Sequence, residues 1–263
     1  MTSRHWLFIA LLATGYGLAL VYGSLAPIAA VSLGLLLVAW FCVARSRLRY
    51  ARILGHSLFI ITGLALATHL LPGFNNAKVI DNARFTADAA AFSMYLNLDK
   101  PLIGFWLLLA CPWILTKIDV GDSVKVGLLA LIATSALCMT VAMGLGTVDW
   151  APKWPAQSTL WWVNNLLLVT LTEELFFRAY LQGGLQRFFA GSTFATPMAI
   201  AITASLFGLS HIGAGWELML LAGLAGVGYG IAFRFGSLPA AVICHFGLNA
   251  VHFGLFSYPM LAR

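Results

Sequence analysis

Nine stretches of this chain are apolar over roughly the length of a bilayer crossing, and little separates one from the next. They fall at about residues 6–24, 26–44, 53–71, 101–115, 126–145, 158–181, 197–211, 217–233 and 238–256, the fourth and seventh being short. A segment inside a bilayer must satisfy its own backbone hydrogen bonds, and an apolar run of this length does so as a helix. The expected fold is therefore all-α, a polytopic transmembrane helical bundle of eight or nine spans. Composition closes the alternative: with 61% hydrophobic and 9% charged residues over 263, and a mean hydropathy of +0.90, no soluble domain of this length is possible. The first apolar run continues too far for a cleavable signal peptide, and a second follows almost at once.

The net charge of +6 is small and sits in short loops. That pattern orients a protein in the lipid bilayer, and no basic stripe with interleaved aromatics suggests a nucleic acid as partner. The loop "RSRLRYAR" carries Arg45, Arg47, Arg49 and Arg52. By the positive-inside rule it is cytoplasmic, which places the N-terminus in the cytoplasm and, with nine spans, the C-terminus outside. In the loop at residues 73–100, Phe85, Ala89, Phe92 and Leu96 recur at helical spacing, which predicts an amphipathic helix on the membrane surface. Trp150, Trp154, Trp161 and Trp162 cluster where an interfacial aromatic belt would fall. Cys42, Cys111, Cys138 and Cys244 each lie in an apolar run without CxxC or Cys/His spacing, and read as buried structural thiols. Polar residues inside the spans concentrate after residue 158. The chain thus divides into an amino-terminal scaffold, 1–157, and a functional half, 158–263. Nothing in the sequence sets an oligomeric state.

The first polar island is "LTEELFFRAYL", residues 171–181. Charge in an apolar helix is expensive and is a functional-site candidate by default. Glu174 and Arg178 stand four apart and so share a helix face, with the glutamate on the favourable N-terminal side. Glu173 lies about 100° away, toward the face of Thr170, Phe177 and Tyr180, and has no such local partner. "FGLSH" places Phe207 and His211 at i and i+4, and "HFGLNA" does the same for His245 and Asn249. His252 continues the second stripe at i+7 and suits a supporting place. His56 and His69 read as interhelical hydrogen bonders.

Depth decides whether the islands can meet. At 1.5 Å per residue, Glu173 lies about 13 Å into a core about 30 Å thick, His211 about 20 Å, His245 about 11 Å and Asn249 about 17 Å. One cavity near mid-depth can hold them all. A carboxylate, two imidazoles and a carboxamide are the parts needed to activate water and hold an oxyanion.

Glu173-Glu174-xxx-Arg178, Phe207-xxx-His211 and His245-xxx-Asn249, in that order, resemble the CAAX prenyl protease and bacteriocin-processing (CPBP, or Abi) family of intramembrane proteases. The resemblance covers about residues 158–256, with Ala179 where many relatives carry glycine. It implies a glutamic-type protease with no cofactor and no metal. Glu173 would be the general base with His211 helping, and His245 and Asn249 would hold the oxyanion. Glu174 and Arg178 would brace the site, with Phe207 and His252 in support. The implied partner is a membrane-anchored peptide or protein: a lipidated terminus, a leader or a C-terminal sorting signal. The small size and scarcity of soluble loops suit a prokaryotic cytoplasmic membrane. Two other readings stand beside this one. His211, His245 and a glutamate could hold zinc, although HExxH is absent and the histidines lie on separate helices. The bundle could also be a non-enzymatic scaffold or bacteriocin-immunity protein.

Overall fold

The computed structural model describes residues 3–115 and 119–262, which are mostly helical. They form two compact units, Met1–Val79 with Tyr95–Leu115 and Ile80–Met94 with Thr116–Arg263. Arg49–Ala67, Val120–Gly144 and Trp216–Leu255 are each long and apolar enough to cross a membrane. Trp6–Val21, Ala29–Ala44, Pro101–Ala110 and Ala195–Leu209 are shorter apolar helices. The protein is an integral membrane protein, and large apolar side chains such as Leu37, Ile61, Leu129 and Phe235 are exposed on its helices.

In the first unit, α1 (Ser3–Val21), α2 (Ala29–Ala44), α3 (Arg49–Ala67) and α4 (Pro101–Ala110) pack together. Proline opens α4, where its missing N–H costs nothing. The indole N–H of Trp106 donates to the Leu36 carbonyl at 2.8 Å, and that of Trp40 to the Leu109 carbonyl at 3.2 Å. At one end the Tyr16 hydroxyl donates to the Leu98 carbonyl, and buried Asp99 is held by His69 Nδ1 at 2.6 Å and by Asn76 Nδ2 at 3.3 Å. His69 therefore bonds within a loop cluster rather than between spans.

The amphipathic helix predicted for residues 73–100 is absent. Its place is taken by a hairpin of β1 (Ala77–Ala83) and β2 (Phe92–Leu96), so the described residues are mostly helical with a two-stranded sheet added. Helical spacing of Phe85, Ala89, Phe92 and Leu96 coexists here with β-prone Val79-Ile80 and Phe92-Ser93-Met94-Tyr95, and the strand preference wins. Ala89 is buried, and Phe85, Phe92 and Leu96 are half-buried. Phe85 and Phe92 join Phe253 and Tyr258 in one aromatic cluster.

The second unit contains α5 (Val120–Gly144), α6 (residues 158–188), α7 (Ala195–Leu209) and α8 (Trp216–Leu255). α5, read from the sequence as part of the scaffold, packs along α8 here. Asp119 caps α5, its carboxylate accepting from the Asp122 amide at 3.0 Å. Contact with α8 is close enough that a Cβ on Gly228 would lie 2.1 Å from Thr134 Oγ1. Small residues permit such approach between membrane helices. α7 crosses α8 equally closely, because a Cβ on Gly208 would meet the Met219 carbonyl oxygen at 2.7 Å.

α8 is continuous over 40 residues except at Ser237, whose φ of 63° and ψ of −169° break it two residues before Pro239. The break falls between the two apolar runs separated in the sequence. Ser123 Oγ donates to the Gly236 carbonyl at 2.7 Å, satisfying a backbone acceptor that the interrupted ladder exposes. Of the four expected belt tryptophans, Trp150 and Trp154 are well exposed. Trp161 is buried instead, stacked on Phe253 at 4.2 Å with its indole N–H donating to the Tyr258 hydroxyl at 3.1 Å. The four cysteines are free, and three of them are buried.

Candidate active site

α6 is not a plain α-helix. Leu171–Glu174 is a single α turn between two π stretches, Asn165–Thr170 and Leu175–Gln182. π segments are rare and gather at functional sites, because the extra residue per turn re-aims the side chains that follow. Here the i to i+5 register stacks Thr170 on Asn165, and the Thr170 hydroxyl donates to Asn165 Oδ1 at 3.3 Å. Glu173 lines a cavity together with Val169, one turn before it, whereas Thr170, Phe177 and Tyr180 do not line it.

Glu174 and Arg178 pair as the i, i+4 spacing predicts, Arg178 Nε donating to Glu174 Oε2 at 3.2 Å with both side chains wholly buried. The guanidinium is also enclosed by rings, lying 5.3 Å from the Phe207 centroid and 5.7 Å from that of Tyr229. This is a desolvated cation–π sandwich. Phe207 thus supports the arginine besides carrying the first position of its motif.

The other oxygen of Glu174 reaches across to α8. His245 Nδ1 donates to Glu174 Oε1 at 2.8 Å, the proton being assigned to Nδ1 because the carboxylate already accepts from Arg178. This directs the opposite nitrogen, Nε2, toward Glu173, 3.9 Å from its Oε2. Tyr229 lies flat beneath the imidazole, 4.3 Å away and 13° from parallel, and fixes the plane of the ring. Tyr229 and His245 lie on opposite sides of the Ser237 break, so both limbs of α8 shape the site.

His211 closes α7. Its Nδ1 contacts the Phe207 carbonyl at 2.8 Å, which as a donor bond leaves Nε2 an acceptor. Asn249 Nδ2 donates to Asn165 Oδ1 at 3.1 Å, and one N–H of that amide is left over. Glu173, His211, His245, Asn249, Phe207 and His252 all line one cavity of about 310 Å³, with apolar walls from α5 and α8. His252 sits at its edge with its ring 5.0 Å from Tyr258. Every sequence-nominated polar residue is therefore at this cavity except Glu174 and Arg178, which stand behind it.

Several contributors escaped the sequence reading. Asn165 was legible as half of an Asn164-Asn165 pair, a polar insertion in an apolar span as unusual as the glutamates. Tyr229 and Glu217 also line the cavity. So does the chain after α8, where Pro259, Met260 and Leu261 form one wall. That segment is threaded between two loops. Leu261 N donates to the Thr147 carbonyl at 2.9 Å, and the Ala90 amide donates to the Met260 carbonyl at 2.9 Å. Among the described residues, no three His, Cys, Asp or Glu side chains stand together as a metal site.

Residues 155–251 match the family described as type II CAAX prenyl endopeptidase Rce1-like, the same family that the three motifs resemble. No curated protein and no solved structure matches the chain.

Proposed function

From the family match and the cavity it contains, we propose that the protein is an intramembrane endopeptidase. It hydrolyses a peptide bond of a membrane-associated protein or peptide with a water activated by Glu173. The observation that carries this reading is His245 suspended between two carboxylates, 2.8 Å from Glu174 and 3.9 Å from Glu173, on the wall of a cavity inside a membrane bundle.

A polar gap of 3.9 Å is too long for a direct bond and suits a bridging water. Glu173 takes a proton from that water as its oxygen attacks the scissile carbonyl carbon, and His211 Nε2 offers a second acceptor. The C=O π electrons move to oxygen. In this reading His245 donates Nδ1–H to Glu174 and Nε2–H to the oxyanion, and the spare N–H of Asn249 also donates to the oxyanion. Collapse of the tetrahedral intermediate breaks the C–N bond, and Glu173 returns its proton to the leaving amine. Glu174 and Arg178 take no proton in this sequence. They hold His245 in place.

Substrate classes in this reading are a lipidated terminus, a leader or a C-terminal sorting signal. The arginine-rich loop between α2 and α3 faces the cytoplasm, and counting both limbs of α8 gives nine crossings. The test is Glu173→Gln, which keeps shape and hydrogen bonding but cannot accept the water's proton. Reconstituted with membrane-anchored reporter peptides that the wild type cleaves, the variant should bind them and leave them intact. An active variant would sink the glutamate mechanism.

A further inference from the structure

The first unit holds a second cavity, larger than the catalytic one, at about 830 Å³. Most of its wall is apolar, with Leu12, Leu33, Leu37, Trp106 and Trp113 among the lining residues. Arg45, Arg52 and His56 line it as well, so the cavity has a cationic part and an apolar part. Local structure explains why these three meet. Arg45 is the C-cap of α2, while Arg52 and His56 stand one turn apart on α3 and so share a face. Trp40 steadies the first of them, its ring 5.5 Å from the Arg45 guanidinium carbon.

Charge in this unit is not balanced from within. Met1–Val79 and Tyr95–Leu115 contain one acidic residue, Asp99, which is buried and bonded to His69 and Asn76. Among the described residues, neither Arg45 nor Arg52 forms a salt bridge. Arg47 lies between α2 and α3 and Arg49 opens α3, and neither lines the cavity.

We propose that this cavity binds an anionic phospholipid, with its phosphate between Arg45 and Arg52 and an acyl chain along the Leu and Trp wall. Two guanidinium forks match phosphate oxygens in charge and geometry, and a zwitterionic headgroup would bring a choline into the same cationic end. A basic pocket between membrane helices is the form that lipid headgroup recognition takes. Arg45 and Arg52 are exposed, so their substitution leaves the helix packing intact.

The test uses the full chain in a neutral detergent, with lipid retention measured by native mass spectrometry. Phosphatidylglycerol should be retained more tightly than phosphatidylcholine of the same chains, by about tenfold. Arg45→Gln with Arg52→Gln should remove that preference, and Arg47→Gln with Arg49→Gln should preserve it. Leu37→Trp, at a lining position more than half exposed, should displace the lipid without changing charge. It keeps the question open to test should the double arginine variant misfold. Equal losses from the two arginine pairs would mean that the loop merely attracts an anionic surface, and would overturn the site. Oleate held as tightly as phosphatidylglycerol, or inorganic phosphate alone displacing it, would overturn the phospholipid assignment.

Discussion

Arg178 and Glu174 are both fully removed from solvent, so neither can lose its partner cheaply. Removing one member of such a pair leaves an uncompensated charge in low dielectric, a cost of about 3–5 kcal/mol. Arg178→Ala should accordingly lower the melting temperature and folded yield in detergent. An unchanged melting curve would show that the pair braces nothing. Asn165 acts one step from the cavity, fixing the Asn249 amide through a 3.1 Å bond. Asn249→Ala should cut kcat by about 10²-fold, the usual cost of one oxyanion donor. Asn165→Ala should lower kcat by a smaller factor with KM nearly unchanged, and Asn165→Asp, which keeps the accepting oxygen, should recover much of it. A rise in KM alone would make Asn165 part of the substrate's binding surface. The Glu174–Arg178 pair was readable from spacing because it is local. Asn165–Asn249 was not, since the partners are 84 residues apart and the π register that aims Asn165 has no sequence signature.

At the level of helices and strands, the candidate site is flanked by a close approach of α7 to α8. Gly208 lies one turn before His211, and a Cβ there would meet the backbone of Met219 at 2.7 Å, where no side-chain rotation can relieve it. Gly208→Ala should therefore force the helices apart, destabilising the bundle by about 1–3 kcal/mol, as overpacking does. It should also lower cleavage beyond what stability explains, because His211 moves with α7. Full activity in the folded fraction would show that His211 need not be placed so closely. Long apolar helices were legible in the sequence, as was the separation of residues 217–233 from 238–256, because the demand of lipid for apolar side chains acts on each stretch of chain directly. The hairpin was not. Its apolar positions fit either a helix or two short strands, and only the aromatic cluster of Phe85, Phe92, Phe253 and Tyr258 decides between them.

Across the second unit, a single cavity collects two carboxylates, Glu173 and Glu217, three imidazoles and a carboxamide from α6, α8 and the turn after α7. No helix alone could supply the chemistry, which is why three weak motifs acquire meaning only together. The same convergence frames the choice between direct carboxylate catalysis and a zinc centre. His211 and His245 each commit Nδ1 to a protein oxygen, at 2.8 Å in both cases, so only their Nε2 atoms turn to the cavity. In the glutamate mechanism those atoms accept from water or donate to an oxyanion. In a zinc mechanism they would be ligands, and removing metal would abolish cleavage. The thiol offers no third route, since buried Cys244 turns to Thr134 Oγ1 at 3.6 Å rather than toward His245. Protein stripped with a hydrophilic chelator and dialysed into metal-free buffer should therefore cleave a reporter peptide at the untreated rate, and Cys244→Ala should do likewise. Loss of activity on stripping, with recovery on adding zinc alone, would transfer the site to a metalloprotease and make Glu173 a ligand instead of a base.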